Sequence, residues 1–221
     1  VNVLGRGLQG LRENIDNAYY AYYSGSVNSN PGNPSAFDED VHWAIPVAPD
    51  VPSLVYSPIN NGVKLLWGTD VEDGLDPVLG INDFRGYKVY RALYTPSDWE
   101  MIAAFDNVDG EVAVTNYNGD TLSHSVDLPD LTSSFTDVGG TFLDSAISAP
   151  LNGIPYYYAV AAFDTDKPER GIYSLESPLT NFKVDPESGA PLSVEPKQFY
   201  EDEEQTKFDV DKIVVAPNPY R

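Results

Sequence analysis

Residues 153–164 read GIPYYYAVAAFD: three consecutive tyrosines behind a Gly-Ile-Pro turn, then a run of small and branched residues. Read with period two, Tyr156, Tyr158, Val160 and Ala162 fall on one face, and Tyr157, Ala159, Ala161 and Phe163 on the other. That is the alternation of a β-strand, whose successive side chains point to opposite sides. Large rings at alternate positions supply apolar area to a modest core. Tyr156 and Tyr158 are therefore expected to point inward and Tyr157 outward, so the tyrosines read as scaffold rather than as a ligand platform.

Further short strands surround this one. SLVYSP leads through the turn INNG into GVKLLWG, which places Val63, Leu65 and Trp67 on one face. FRGYKVYRAL sets Tyr87, Val89 and Arg91 against Lys88, Tyr90 and Ala92. EMIAAF, SSFTDV and LTNFKV complete the series. Short strands separated by polar turns, with no helical pattern between them, predict a mainly β fold, an antiparallel β-sandwich.

The order GVKLLWG, GYKVYRA, SFTDV, GIPYYYAVAAFD resembles the B, C, E and F strands of a fibronectin type III domain over residues 51–186. The resemblance matches Trp67 to a core tryptophan ending strand B and Tyr87 to a tyrosine on strand C. It matches Tyr156, Val160 and Ala162 to the F-strand pattern. It implies an immunoglobulin-like sandwich in which the Tyr156 hydroxyl bonds back to an upstream backbone group. Two connections are longer than the family requires. One is the B–C loop, TDVEDGLDPVLGINDF. The other is the stretch between AAFD and SSFTDV, where EVAVT and TLSHSV flank YNGD as an inserted hairpin. Insertions of this kind are where an individual function is expected.

Outside the sandwich, residues 1–50 form a first region. Leu4, Leu8, Leu11, Ile15, Tyr19 and Tyr22 make a helical stripe, followed by a Gly/Pro/Ser/Asn-rich linker. Residues 187–221 read as an acidic linker and a terminal β-strand. The ending FDVDKIVVAPNPYR resembles the opening strand of the next β-domain in secreted bacterial surface proteins of the type IX-exported kind. That resemblance implies an extracellular or cell-surface location.

Composition narrows the chemistry. The 221 residues hold 13 Lys+Arg against 34 Asp+Glu, a net charge of −21. Such a surface disfavours nucleic acid and anionic lipid and attracts divalent cations. With no cysteine, disulfides, thiolate metal sites and cysteine nucleophiles are excluded, and His42 and His124 are too few for a histidine-based centre. No membrane-spanning run, signal peptide, phosphate-binding loop, G-x-S-x-G or H-E-x-x-H is visible, so the expected role is not enzymatic.

Three sets of residues carry the functional expectations. Asp70, Glu72, Asp73, Asp76 and Asp83 crowd the B–C loop, and Asp164 and Asp166 start the F–G loop. The family's loop arrangement brings both to one end, where carboxylate oxygens suit Ca²⁺, the one cofactor expected. Trp99, Tyr94 and Tyr117 lie near the insertions, where they would stack on a sugar ring. Ile213, Val214, Val215, Pro217 and Tyr220 form a β-prone strand able to complete a sheet in a neighbour. The sequence thus points to a non-catalytic extracellular structural or interaction module, calcium-stabilised, whose partners are other protein domains or copies of itself. The alternative is a carbohydrate-contacting accessory domain of a secreted polysaccharide-degrading enzyme.

Overall fold

The computed structural model describes residues 47–76, 81–166 and 174–198. The expected N-terminal helix and terminal strand lie outside these residues, as does His42. The chain is mainly β and its ladders are antiparallel.

β1 (Leu54–Ile59) turns through Asn60-Asn61 into β2 (Gly62–Trp67), and β2 pairs with β7 (Ser134–Asp137). The second sheet has β3 (Phe84–Leu93) at its centre, between β4 (Glu100–Asp106) and β10 (Tyr156–Asp164). Two hairpins complete the set: β5 (Glu111–Thr115) with β6 (Thr121–Asp127), and β8 (Gly140–Phe142) with β9 (Ser145–Ile147).

Both three-stranded sheets bury one face in a common core, a sandwich arrangement. Val63, Leu65 and Trp67 from β2 meet Tyr87 and Val89 from β3 and Tyr156, Tyr158, Val160 and Ala162 from β10. The inward direction expected of Tyr156 and Tyr158 is observed, with Tyr157 half-buried on the opposite face. The Tyr156 hydroxyl accepts a hydrogen bond from the Leu151 N–H at 3.0 Å, the upstream backbone bond anticipated for this residue. Gly62 is fixed by space: a Cβ there would stand 2.7 Å from the Asp137 carbonyl oxygen.

A buried ion pair joins the sheets. Arg91 on β3 and Asp137 on β7 lie 3.0 Å apart, and Asp137 also accepts from the Tyr158 hydroxyl at 2.8 Å. Further donors and acceptors of the pair are used as well. Arg91 donates to the Ser148 carbonyl and to Glu100, and Asp137 accepts from the Gly139 N–H. A buried pair is tolerated only when its polar atoms are satisfied in this way.

Three features differ from the sequence reading. First, the inserted hairpin β5–β6 covers the outer face of the β10-β3-β4 sheet. Its Val114, with Val112 and Val126, packs in a second apolar cluster with Tyr90, Met101, Ala104, Ala159 and Ala161. It is a third layer, so its length is explained by burial. Second, LTNFKV forms no ladder strand. Instead the Asn181 side chain accepts from the Val160 N–H and donates to the Val160 and Pro52 carbonyls, while the Ser177 hydroxyl accepts from the Ala162 N–H. Side chains thereby close the edge of β10. Third, residues 192–196, within the stretch read as linker, pack against the sandwich. Val194 exchanges both backbone hydrogen bonds with Tyr156 and joins the core, and Pro196 is fully buried.

Two substitutions test this account. Arg91→Met strands the buried Asp137 carboxylate and should cost about 3–5 kcal/mol, read as a lower urea midpoint at unchanged slope. Asn181→Leu leaves two β10 backbone groups without partners and should cost about 2–4 kcal/mol. A loss below about 0.5 kcal/mol from either would remove its bond set from the list of structural supports.

Candidate functional site

The loop after β2 turns at once into a short 3₁₀ segment, Asp70–Asp73, whose inward residue is Val71. The acids around it therefore face outward or sideways. Glu72 accepts the Tyr87 hydroxyl at 2.9 Å, and its carbonyl accepts from the Asn82 side-chain amide. Burial, followed by the Glu72 hydrogen bond, pushes the Tyr87 hydroxyl well above the usual tyrosine range, so it remains a donor. Glu72 is thus engaged in fixing the loop to β3. Asp70, Asp73 and Asp166 are exposed.

The other three acids gather. Asp76 is buried and accepts from the Val47 N–H at 3.4 Å. Asp83 accepts the Thr165 N–H at its carbonyl, 2.9 Å, which ties the loop before β3 to the chain leaving β10. Asp164 ends β10 at a register shift. Its carboxylate accepts from the Leu175 N–H at 2.6 Å, and its carbonyl accepts from the Ser174 hydroxyl at 2.7 Å.

Burial pushes the Asp164 carboxyl up to about 7; the Leu175 N–H opposes the rise, and the charges of Asp83 and Asp76 add to it. Of the seven acids singled out in the sequence, Asp76, Asp83 and Asp164 therefore share one electrostatic neighbourhood. Among the described residues, no three acidic or histidine side chains converge closely enough to hold a metal ion. Residues 77–80 and 167–173, which belong to the two loops concerned, are outside that set.

The aromatic candidates are dispersed. Trp99 is half-buried, its ring 6.0 Å from Phe182 and packed on the second cluster. Tyr94 is exposed after β3, and Tyr117 is exposed in the turn between β5 and β6. Ile213, Val214, Val215, Pro217 and Tyr220 lie outside the described residues.

Sequence reasoning missed the Arg91–Asp137–Tyr158 set. The available signal was Arg91 itself, a cation in phase with the inward residues Tyr87 and Val89, which in a sheet demands a buried partner. No family model, curated protein or solved structure matches this chain.

The raised Asp164 carboxyl sets a pH dependence. Its folded-state value lies above its unfolded one, so the folded state holds the proton more tightly. The resulting stability is fully present below about pH 4 and is lost as pH rises through about 7. Asp164→Asn keeps an oxygen acceptor for the Leu175 N–H and removes the charge. The variant should melt several degrees above the parent at pH 8 and close to it at pH 4, since each kcal/mol moves Tm by about 2–4 °C in a chain of this size. Equal melting temperatures at pH 8 would show that Asp164 is not under this strain.

Proposed function

We propose that this chain is a non-catalytic, extracellular structural module: a fibronectin type III-like sandwich that spaces or joins parts of a surface protein or polymeric assembly. The observation that carries the reading is the path of the chain. It enters beside the acidic loops, where Val47 bonds Asp76, and β1 then runs away from that pole from Leu54, opposite Trp67, to Ile59, opposite Gly62. It leaves at the other pole, where the Lys197 N–H donates to the Ile59 carbonyl. Entry and exit at opposite ends suit a link in a linear array. Pro52 and Pro196 are both fully buried, which anchors the two flanks.

Calcium would act at the entry pole. Asp76, Asp83 and Asp164 supply carboxylate oxygens, and a divalent cation would offset both the burial that chiefly raises the Asp164 carboxyl and the smaller repulsion from Asp83 and Asp76. The sugar-binding reading draws less support, because Trp99 packs against Phe182 while Tyr94 and Tyr117 sit on separate connections.

Negative-stain electron microscopy of the native material, in calcium and then in chelator, tests the assembly. Filaments or regular arrays that loosen in chelator are expected; dispersed particles in both conditions would sink the assembly reading. Calcium itself is tested by thermal unfolding. Millimolar CaCl₂ should raise Tm more at pH 8 than at pH 5, because Asp164 must lose its proton to ligate, and Asp164→Asn should abolish most of the gain. No shift at either pH would remove calcium from the proposal and leave the spacer.

A further inference from the structure

The outer face of the β1-β2-β7 sheet departs from the polar pattern of a solvated sheet face. The core takes Leu65 and Trp67 from β2 and Phe135 from β7. Alternation therefore turns Lys64, Leu66, Ser134 and Thr136 outward, with Val55 and Ser57 of β1 beside them. Such a face is ordinarily polar. Here Val55 and Leu66 stand directly opposite each other and are 64% and 58% exposed. Side chains so paired have Cβ atoms about 4.5–5.5 Å apart, so these two form one apolar ridge across the sheet.

One charge of each sign flanks the ridge. Toward the exit pole the next pair is Ser57 and Lys64, and the lysine is exposed. Toward the entry pole Gly68 follows, its N–H donating to the Ser53 carbonyl at 3.0 Å. A Cβ on Gly68 would stand 2.5 Å from the Ser53 hydroxyl oxygen and 2.6 Å from Oδ1 of Asp70. The Asp70 carboxylate thus bends back over the end of this face, and the glycine leaves it room. Lys64 and Gly68 are each two residues from Leu66, so cation and carboxylate lie about 7 Å to either side of the ridge. Among the described residues the three strands place no carboxylate of their own on this face, in a chain with 34 acids.

This order of charge, ridge and opposite charge is complementary to itself. A half-turn about an axis lying between two such faces, crossing the strands at Leu66, exchanges their ends. It lays ridge on ridge and brings Lys64 of each copy toward Asp70 of the other. That is the requirement of an isologous contact. A partner of a single sign would set a like charge against either Lys64 or Asp70, so the pattern selects a second copy. The net charge of −21 repels copies in general, and a face whose two charges balance is where that repulsion is locally least.

We propose that two copies of this chain pack these faces on each other, Val55 and Leu66 at the centre and Lys64–Asp70 pairs at both ends. As a contact between copies this stands by itself; as the join of a polymeric assembly it rests on the spacer reading. Three strands of about six residues give a face of roughly 15 by 20 Å, small for a stable interface, so the dissociation constant should be on the order of 100 μM. The test is sedimentation equilibrium of the full chain in chelator, from about 10 μM to about 1 mM. The average mass of the parent should rise toward that of a dimer. Leu66→Ser, at an exposed position, should keep Tm and weaken association at least about tenfold. Lys64→Glu and Asp70→Lys should each weaken it about tenfold, and the two combined should restore it. A parent that stays monomeric at about 1 mM would overturn the proposal. So would Asp70→Lys dimers tighter than the parent's, the result if net charge alone governed association, or a double variant no tighter than the single ones. Failure of the arrays in microscopy leaves the charge-swap result untouched, and a monomeric parent leaves the linear spacer, so the two readings fail separately.

Discussion

The ion pair between Arg91 and Asp137 is the constraint around which the sandwich is organised. Removing two charges from water is expensive, and mutual attraction offsets that only if the other hydrogen-bonding atoms are satisfied. Here the guanidinium reaches Asp137, Ser148 and Glu100, and the carboxylate receives Arg91, Tyr158 and the Gly139 N–H. Those groups come from both sheets and from the connections beyond β7 and β9. A one-residue slip of β3 against β10 would turn Arg91 to the opposite face and leave Asp137 buried alone. The pair therefore contributes more to register than to net stability. Burial, and then the Asp137 charge, raises the Tyr158 hydroxyl far above the usual tyrosine range, so it stays a donor and keeps the set complete.

The opposite face of the same sheet follows a second logic. Lys88, Tyr90, Ala159 and Ala161 face away from the main core and are nonetheless buried. Lys88 pairs with Glu176 at 2.7 Å and lies 4.9 Å from the centre of the Phe163 ring, so its charge is held by a carboxylate and an aromatic face. The β5–β6 hairpin and Leu128 cover the apolar remainder. One sheet is thus buried on both sides. The partner sheet leaves Val55 and Leu66, directly opposite each other on β1 and β2, exposed at 64% and 58%.

This asymmetry explains how much of the fold was legible in the sequence. The strands around Trp67, Tyr87 and Tyr156 declared themselves through alternation, and the bond to the Tyr156 hydroxyl followed from the motif. The double burial of β10 had a visible trace as well. AVAAF is apolar at every position, the composition of a strand covered on both faces rather than one. What stayed hidden were contacts between distant residues. Nothing near Asn181 in sequence shows that its amide would replace a strand along Val160, and nothing near Val194 shows that it would pair with Tyr156. At the acidic pole, composition revealed the abundance of carboxylates. It could not separate Asp76, Asp83 and Asp164, which the B–C loop and the end of β10 bring together, from Glu72, which is spent on Tyr87.

The two poles differ in the physics they offer a neighbour. At the entry pole burial, and after it the charges of Asp83 and Asp76, raise the Asp164 carboxyl, so that end favours a contact that delivers positive charge. The exit pole exposes Leu93, Tyr94 and Leu151, with Tyr94 at positive φ, so that end favours a contact that removes apolar surface from water. Like ends therefore have little reason to associate. Two entry poles add repulsion, and two exit poles would bring together chains of high net negative charge. If modules of this kind follow one another, polarity is built into the array by the sandwich itself. The Arg91–Asp137 register then matters beyond stability, because it fixes which residues β3 and β10 present at each end.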